Sequence, residues 1–98
     1  MSLTPKIASG LKRGEFIWLE INIGPRVGRQ LARVDGVRAE RAPTGNPIID
    51  VRRFFTRTRR WSEAVVFFDE IRSQCARDEA IEFVHGRGGR LLRTARGG

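Results

Sequence analysis

The segment with the most chemical potential is Val51–Trp61, VRRFFTRTRRW. Five cations (Arg52, Arg53, Arg57, Arg59 and Arg60) fall within ten residues, beside Phe54, Phe55 and Trp61. Phosphates need cations and unstacked bases need flat apolar faces, and this stretch supplies both. Guanidinium groups also stack on aromatic rings. If the segment is a strand, Phe54 and Phe55 point to opposite faces, so one is expected in the core and the other at the surface. The competing reading is a solvated arginine loop around a core phenylalanine.

A second basic stretch, HGRGGRLLRTARGG over His85–Gly98, contains Arg87-Gly88-Gly89 and Arg96-Gly97-Gly98. Arg-Gly-Gly units keep the backbone pliable and present guanidinium groups to polyanions. Arg87 and Arg90 join the candidate site on this ground, and Arg13, Arg29 and Arg33 are expected to extend it. A third set, Trp18, Phe54, Phe55, Trp61, Phe67 and Phe68, invites comparison with a cage for a methylated ammonium. The competing reading is that these rings fill the core.

Overall charge points the same way. The chain has 98 residues, 19 Lys plus Arg and 11 Asp plus Glu, for a formal net charge of +8. Only Lys6 and Lys12 are lysines, so the basic charge is carried by arginine, the planar cation suited to phosphates and guanine edges. A G+C-rich coding sequence would enrich arginine equally. Such a field attracts nucleic acid or an acidic protein surface.

Catalysis has little to work with. Glu63, Asp69, Glu70, Asp78, Glu79 and Glu82 are read as partners of nearby arginines. Cys75 and His85 are the only cysteine and histidine, and no nucleophile motif surrounds either. No phosphate loop of the Lys-Ser/Thr type is present. We expect a non-enzyme with no cofactor and no metal. Met1–Gly10 lacks the apolar segment of a secretory signal, and no apolar run approaches a membrane span. A single cysteine gives no internal disulfide. An intracellular protein, cytoplasmic or nuclear, is expected.

These residues must be positioned by a small domain of hydrophobic content 40 %. Met1–Arg13 reads as a flexible lead-in, 14–84 as the folded domain and 85–98 as a mobile Arg/Gly-rich tail. The dominant period inside the domain is two. In Gly14–Ile23, Ile17, Leu19, Ile21 and Ile23 share the face expected to meet the core, leaving Phe16 and Trp18 on a second, binding face. Gly24-Pro25 ends that strand. Gln30–Arg41 is expected to be a strand with a bulge near Asp35-Gly36. A turn follows over Ala42–Pro47, then strands over Ile48–Phe55 and Ser62–Phe68. Asp69–Cys75 is ambiguous and is compatible with a short helical turn. Arg77–Val84 reads as a final short strand, with a helix beginning near Asp78 as the alternative. The fold class expected is mainly β: a small antiparallel five-stranded open barrel.

The order of these blocks resembles a Src-homology-3-like barrel of the chromatin and nucleic-acid-binding kind, and within it the bromo-adjacent homology modules. The resemblance rests on Gly14-Glu15-Phe16-Ile17-Trp18-Leu19, Ala32-Arg33-Val34, Val51–Arg57, the acidic and apolar run Glu63–Glu70, and Ile81–Val84. It implies a binding module rather than an enzyme. The expected function is nucleic-acid binding, to DNA or RNA, mainly through phosphates with aromatic stacking. The expected site is Arg29, Arg33, Arg52, Arg53, Phe55, Arg57, Arg59, Arg60, Trp61, Arg87 and Arg90. The alternative is a protein-interaction module for an acidic protein or a histone-like peptide. A third reading comes from Leu91–Gly98, LLRTARGG, which resembles the C-terminal end of ubiquitin-like modifiers.

Overall fold

The computed structural model describes residues 3–91. Five strands, β1 (Phe16–Ile23), β2 (Arg26–Arg41), β3 (Pro47–Phe55), β4 (Arg60–Phe67) and β5 (Ile71–Cys75), form one antiparallel sheet in the order β4-β3-β2-β1-β5. A short helix, α1 (Pro5–Ser9), precedes the sheet and α2 (Arg77–Gly86) follows it. No helix among the described residues is long and apolar enough to cross a membrane.

Each turn follows from local chemistry. Gly24, at φ 60, lets β1 reverse into β2, and Gly45, at φ 86, does the same before β3. The bulge expected near Asp35-Gly36 is present: Val34 pairs with Val51 and Gly36 with Asp50, leaving Asp35 as the extra residue.

The link from β4 to β5 shapes the sheet. These strands lie at opposite rims, which in a flat sheet would be about 19 Å apart. Only a 3-10 turn, Phe68–Glu70, joins them, and a link that short reaches at most about 14 Å. The sheet therefore has to curl, although its rims do not pair and it stays open. The Glu70 carboxylate holds the turn by accepting from the Phe67 backbone N–H at 2.8 Å.

Both faces of the curled sheet are packed. Ile17, Leu19, Ala32, Val34, Ile49, Val51, Val66 and Ile71 fill the inner face, joined by Ala8 and Leu11. The segment read from sequence as a lead-in thus contributes two core residues. Thr4 caps α1, its hydroxyl accepting from the Ile7 N–H at 3.2 Å.

The outer face differs from the sequence-based expectation. Phe16 and Trp18 were expected to display a binding surface, but both are buried, together with Leu31, Phe54 and Cys75, beneath Ala80 and Val84 of α2. The cover is the segment Arg77–Val84, which is not the expected final strand. Its apolar residues Ala80, Phe83 and Val84 recur at three and four, the helical spacing. Asp78 and Glu79 sit in its first turn, where the helix dipole favours anions. The Ile81/Phe83 alternation that suggested a strand is a coincidence of that stripe. The helix is capped from Ala76, without a side-chain hydrogen bond. The fifth strand is instead Ile71–Cys75, within the segment whose sequence was ambiguous; the helical turn itself is confined to Phe68–Glu70.

Candidate nucleic-acid interface

The hairpin joining β3 to β4 builds the centre of the site. The Phe55 carbonyl accepts from the Arg59 N–H at 2.7 Å, closing a tight loop of Thr56, Arg57, Thr58 and Arg59. Arg59 has φ 58, the one positive value at a non-glycine residue among those described. Arg57, Arg59 and Arg60 are all exposed.

A second segment meets this hairpin. After α2 the chain turns at Gly88 (φ 74), and the Gly89 N–H donates to the Val84 carbonyl at 2.9 Å. Gly89 is seated on Phe54: a Cβ there would lie 2.6 Å from the ring. A Cβ on Gly88 would lie 3.1 Å from the Arg59 guanidinium. The Trp61 indole N–H donates to the Arg90 carbonyl at 2.7 Å. Between the two segments lies a concavity of about 500 Å³ lined by Arg59, Arg60, Trp61, Gly88, Gly89, Arg90 and Leu91. Arg87 lies over the Phe83 ring at 3.7 Å.

The expected arginines divide by their partners. Arg57, Arg59, Arg60, Arg87 and Arg90 have no carboxylate within 4.0 Å among the described residues. Arg53 donates to Gln30 at 3.1 Å and Glu70 at 3.3 Å. Arg29 lies over Trp18 at 4.0 Å, with Glu79 4.0 Å away. Arg52 projects to the opposite face from Arg53, where Asp35 (3.3 Å) and Glu63 (3.7 Å) engage it.

Arg33 does not belong to this surface. It pairs across the ladder with Phe16 on one side and Arg52 on the other and is only 3 % exposed. Its Nε–H finds no acceptor. Burial pulls its pKa down, opposed by nearby Asp35 and reinforced by Arg13, Arg52 and Arg77. Composition could not separate it from the exposed arginines, because its burial is set by its place between Phe16 and Arg52 in the sheet.

The aromatic residues divide as well. Phe54 is buried and Phe55 is 42 % exposed, the split that strand alternation predicts. Trp61 is half-buried against Phe54, at 5.0 Å between centroids, and its N–H is committed to Arg90. Phe67 lies at the other end of β4, paired with Ile48. Of the set named for a methyl-ammonium cage, Trp18, Phe54 and Trp61 pack in one cluster, but Trp18 and Phe54 are buried and form core rather than an open cage.

Sequence reasoning missed a wedge beside the hairpin. The last residue of β2 to pair with β3, counting toward the β1–β2 turn, is Ala32, opposite Arg53. Beyond that point residues 26–31 pair only with β1, and Phe54 and Phe55 pair only with β4. The two hairpins splay apart and leave a cavity of about 430 Å³. Its apolar walls are Ile21, Ile23, Leu31, Phe54, Phe55 and Phe83; Arg29, Gln30, Arg53, Thr56 and Arg57 also line it. The signal for Phe83 was its helical spacing from Ala80.

Cys75 is buried beside Glu79. Burial, and then Glu79, whose Oε1 lies 3.5 Å from Sγ, push its thiol pKa up to about 12. Residues 92–98, which carry the second Arg-Gly-Gly unit and most of the ubiquitin-like ending, lie outside the described residues. Comparison with protein-family models, curated proteins and solved structures finds no match.

Proposed function

We propose that this chain is an intracellular nucleic-acid-binding module that holds its ligand mainly through phosphates, acting by binding rather than catalysis. One observation carries this reading: Arg59, Arg60 and Arg90 line one concavity, Arg57 lines the wedge beside it and Arg87 lies over Phe83, and none of the five has a carboxylate within 4.0 Å among the described residues. Unpaired guanidinium groups are available to anions, whereas those already engaged, such as Arg52, are not. Phe55 supplies the exposed ring, and Trp61 holds the 88–91 segment in place. Within this reading the curled sheet is a Src-homology-3-like barrel of the nucleic-acid-binding kind.

The test is salt dependence. Affinity for an oligonucleotide should fall steeply between about 50 and 200 mM salt, by counterion release. Replacing Arg57, Arg59 and Arg60 by Ala should lower the slope of log affinity against log salt by about one for each phosphate no longer neutralised, about equally across sequences. A wild-type affinity indifferent to salt overturns the proposal.

A protein partner is the second reading. It is favoured by the unpaired rim of β4, which exposes Val65 and Phe67 at 41 % and 45 %. Partners that survive nuclease treatment in a pull-down would support it over the first.

A further inference from the structure

We infer that the wedge between the two hairpins receives an unpaired base, so that the ligand is single-stranded; this rests on the phosphate-binding reading above. The cavity combines one exposed flat ring with a cationic rim. Phe55 forms one wall at 42 % exposure, Ile21, Ile23 and Phe83 supply the other accessible apolar groups, and the buried Leu31 and Phe54 form the floor. Arg57, which has no carboxylate partner among the described residues, stands on the β3 lip and is the main cation of the rim; Arg29, on the β2 lip, lies over Trp18 with Glu79 4.0 Å away and remains half-exposed. A strand laid across the lips would place phosphates near these cations while one base turns inward onto Phe55. A base inside a duplex keeps both faces stacked and cannot enter.

The polar groups of the wedge suit this occupant. Gln30 and Arg53 hold each other at 3.1 Å, and Gln30 also reaches the Phe54 carbonyl at 3.4 Å. They brace the mouth rather than offer a full set of free donors and acceptors, so bases should be accepted with little sequence preference. A peptide adding as a strand is less well served on the β3 side. Only Phe54 and Phe55 extend beyond the last β2–β3 pair there, too short an edge for a ladder.

Anisotropy titrations of the full chain with labelled oligothymidylate of about 12 nucleotides, a duplex of equal length and a polyglutamate peptide test the inference, a length within the usual site size for single strands. The single strand is expected to bind at least about tenfold tighter than the duplex. Phe55→Leu keeps the apolar bulk but removes the flat ring. It should weaken the single-stranded complex about 5- to 100-fold, the loss expected for one base–aromatic stack, and leave the duplex unchanged. Phe55→Trp should restore binding. Duplex binding equal to or tighter than single-strand binding, or a Phe55→Leu variant that binds like the parent, overturns the wedge while leaving the phosphate reading intact. Binding of neither nucleic acid, or tighter binding of polyglutamate, overturns both.

Discussion

The Trp61 indole N–H and the Arg90 carbonyl, 2.7 Å apart, join β4 to the segment after α2. This bond closes one side of the basic concavity and fixes where Arg90 stands relative to Arg59 and Arg60. Trp61→Phe keeps a ring against Phe54 and deletes the donor. The variant should lose about 0.5–1.5 kcal/mol of stability, the usual net worth of such a bond. Its amides at Gly89 and Arg90 should exchange faster, and its oligonucleotide affinity should fall more than its stability loss explains. Hydrogen exchange with a urea titration reads both.

Gly89 is the closest approach of that segment to the core. A methyl group there would meet Phe54 Cζ at 2.6 Å, Cε1 at 2.7 Å and Val84 Cγ1 at 3.1 Å. Phe54 is packed against Trp61 and Phe83 and is 1 % exposed. Gly89→Ala should therefore destabilise the protein by about 1–3 kcal/mol, the range for overpacking. Gly86→Ala, which meets nothing within 4 Å, is the control and should be silent in thermal denaturation.

Arg33 is a buried cation with an unsatisfied Nε–H, flanked by Arg13, Arg52 and Arg77. Arg33→Met fills much the same space without a charge to desolvate. Replacing buried charge by apolar bulk is often neutral or stabilising. The variant should melt at or above the parent temperature and bind oligonucleotide unchanged. A tenfold weaker affinity would return Arg33 to the binding surface.

Cys75 should resist alkylation. Its pKa is raised from 9.0 to about 12, so the folded chain keeps the thiol proton where the unfolded chain has released it. The associated stability is therefore complete below the ordinary thiol range and is lost as pH rises from about 9 toward 12. Iodoacetamide at pH 8 should label the native protein far more slowly than the urea-unfolded protein. Cys75→Val should blunt the alkaline loss of stability.

How much was legible depended on how far apart the deciding residues lie. The alternation of Phe54 and Phe55, the bulge at Asp35 and the turns at Gly24 and Gly45 are local, and reading them needed only strand period and turn chemistry. The run Phe16–Leu19 is buried on both faces, a pattern that marks a covered sheet. Choosing one face for the core hid the second. That choice also obscured α2, since a helix is needed only if the Phe16/Trp18 face requires a lid. Arg33, Arg52 and Arg53 look equivalent in composition. Pleat and pairing bury the first beside Phe16 and send the second to Asp35 and the third to Glu70. The meeting of Arg59 with Gly88 joins two residues far apart in the chain, beyond the reach of any short motif.

The three residues between β4 and β5 also constrain how the protein can be assembled and altered. The β1–β2, β2–β3 and β3–β4 hairpins each form from neighbouring sequence, whereas β5 must find β1 across more than fifty positions. That closing step is the slow, non-local one. Lengthening the tripeptide would relax the curl and let the two rims move apart. The girth of the molecule is thus written into its briefest connection.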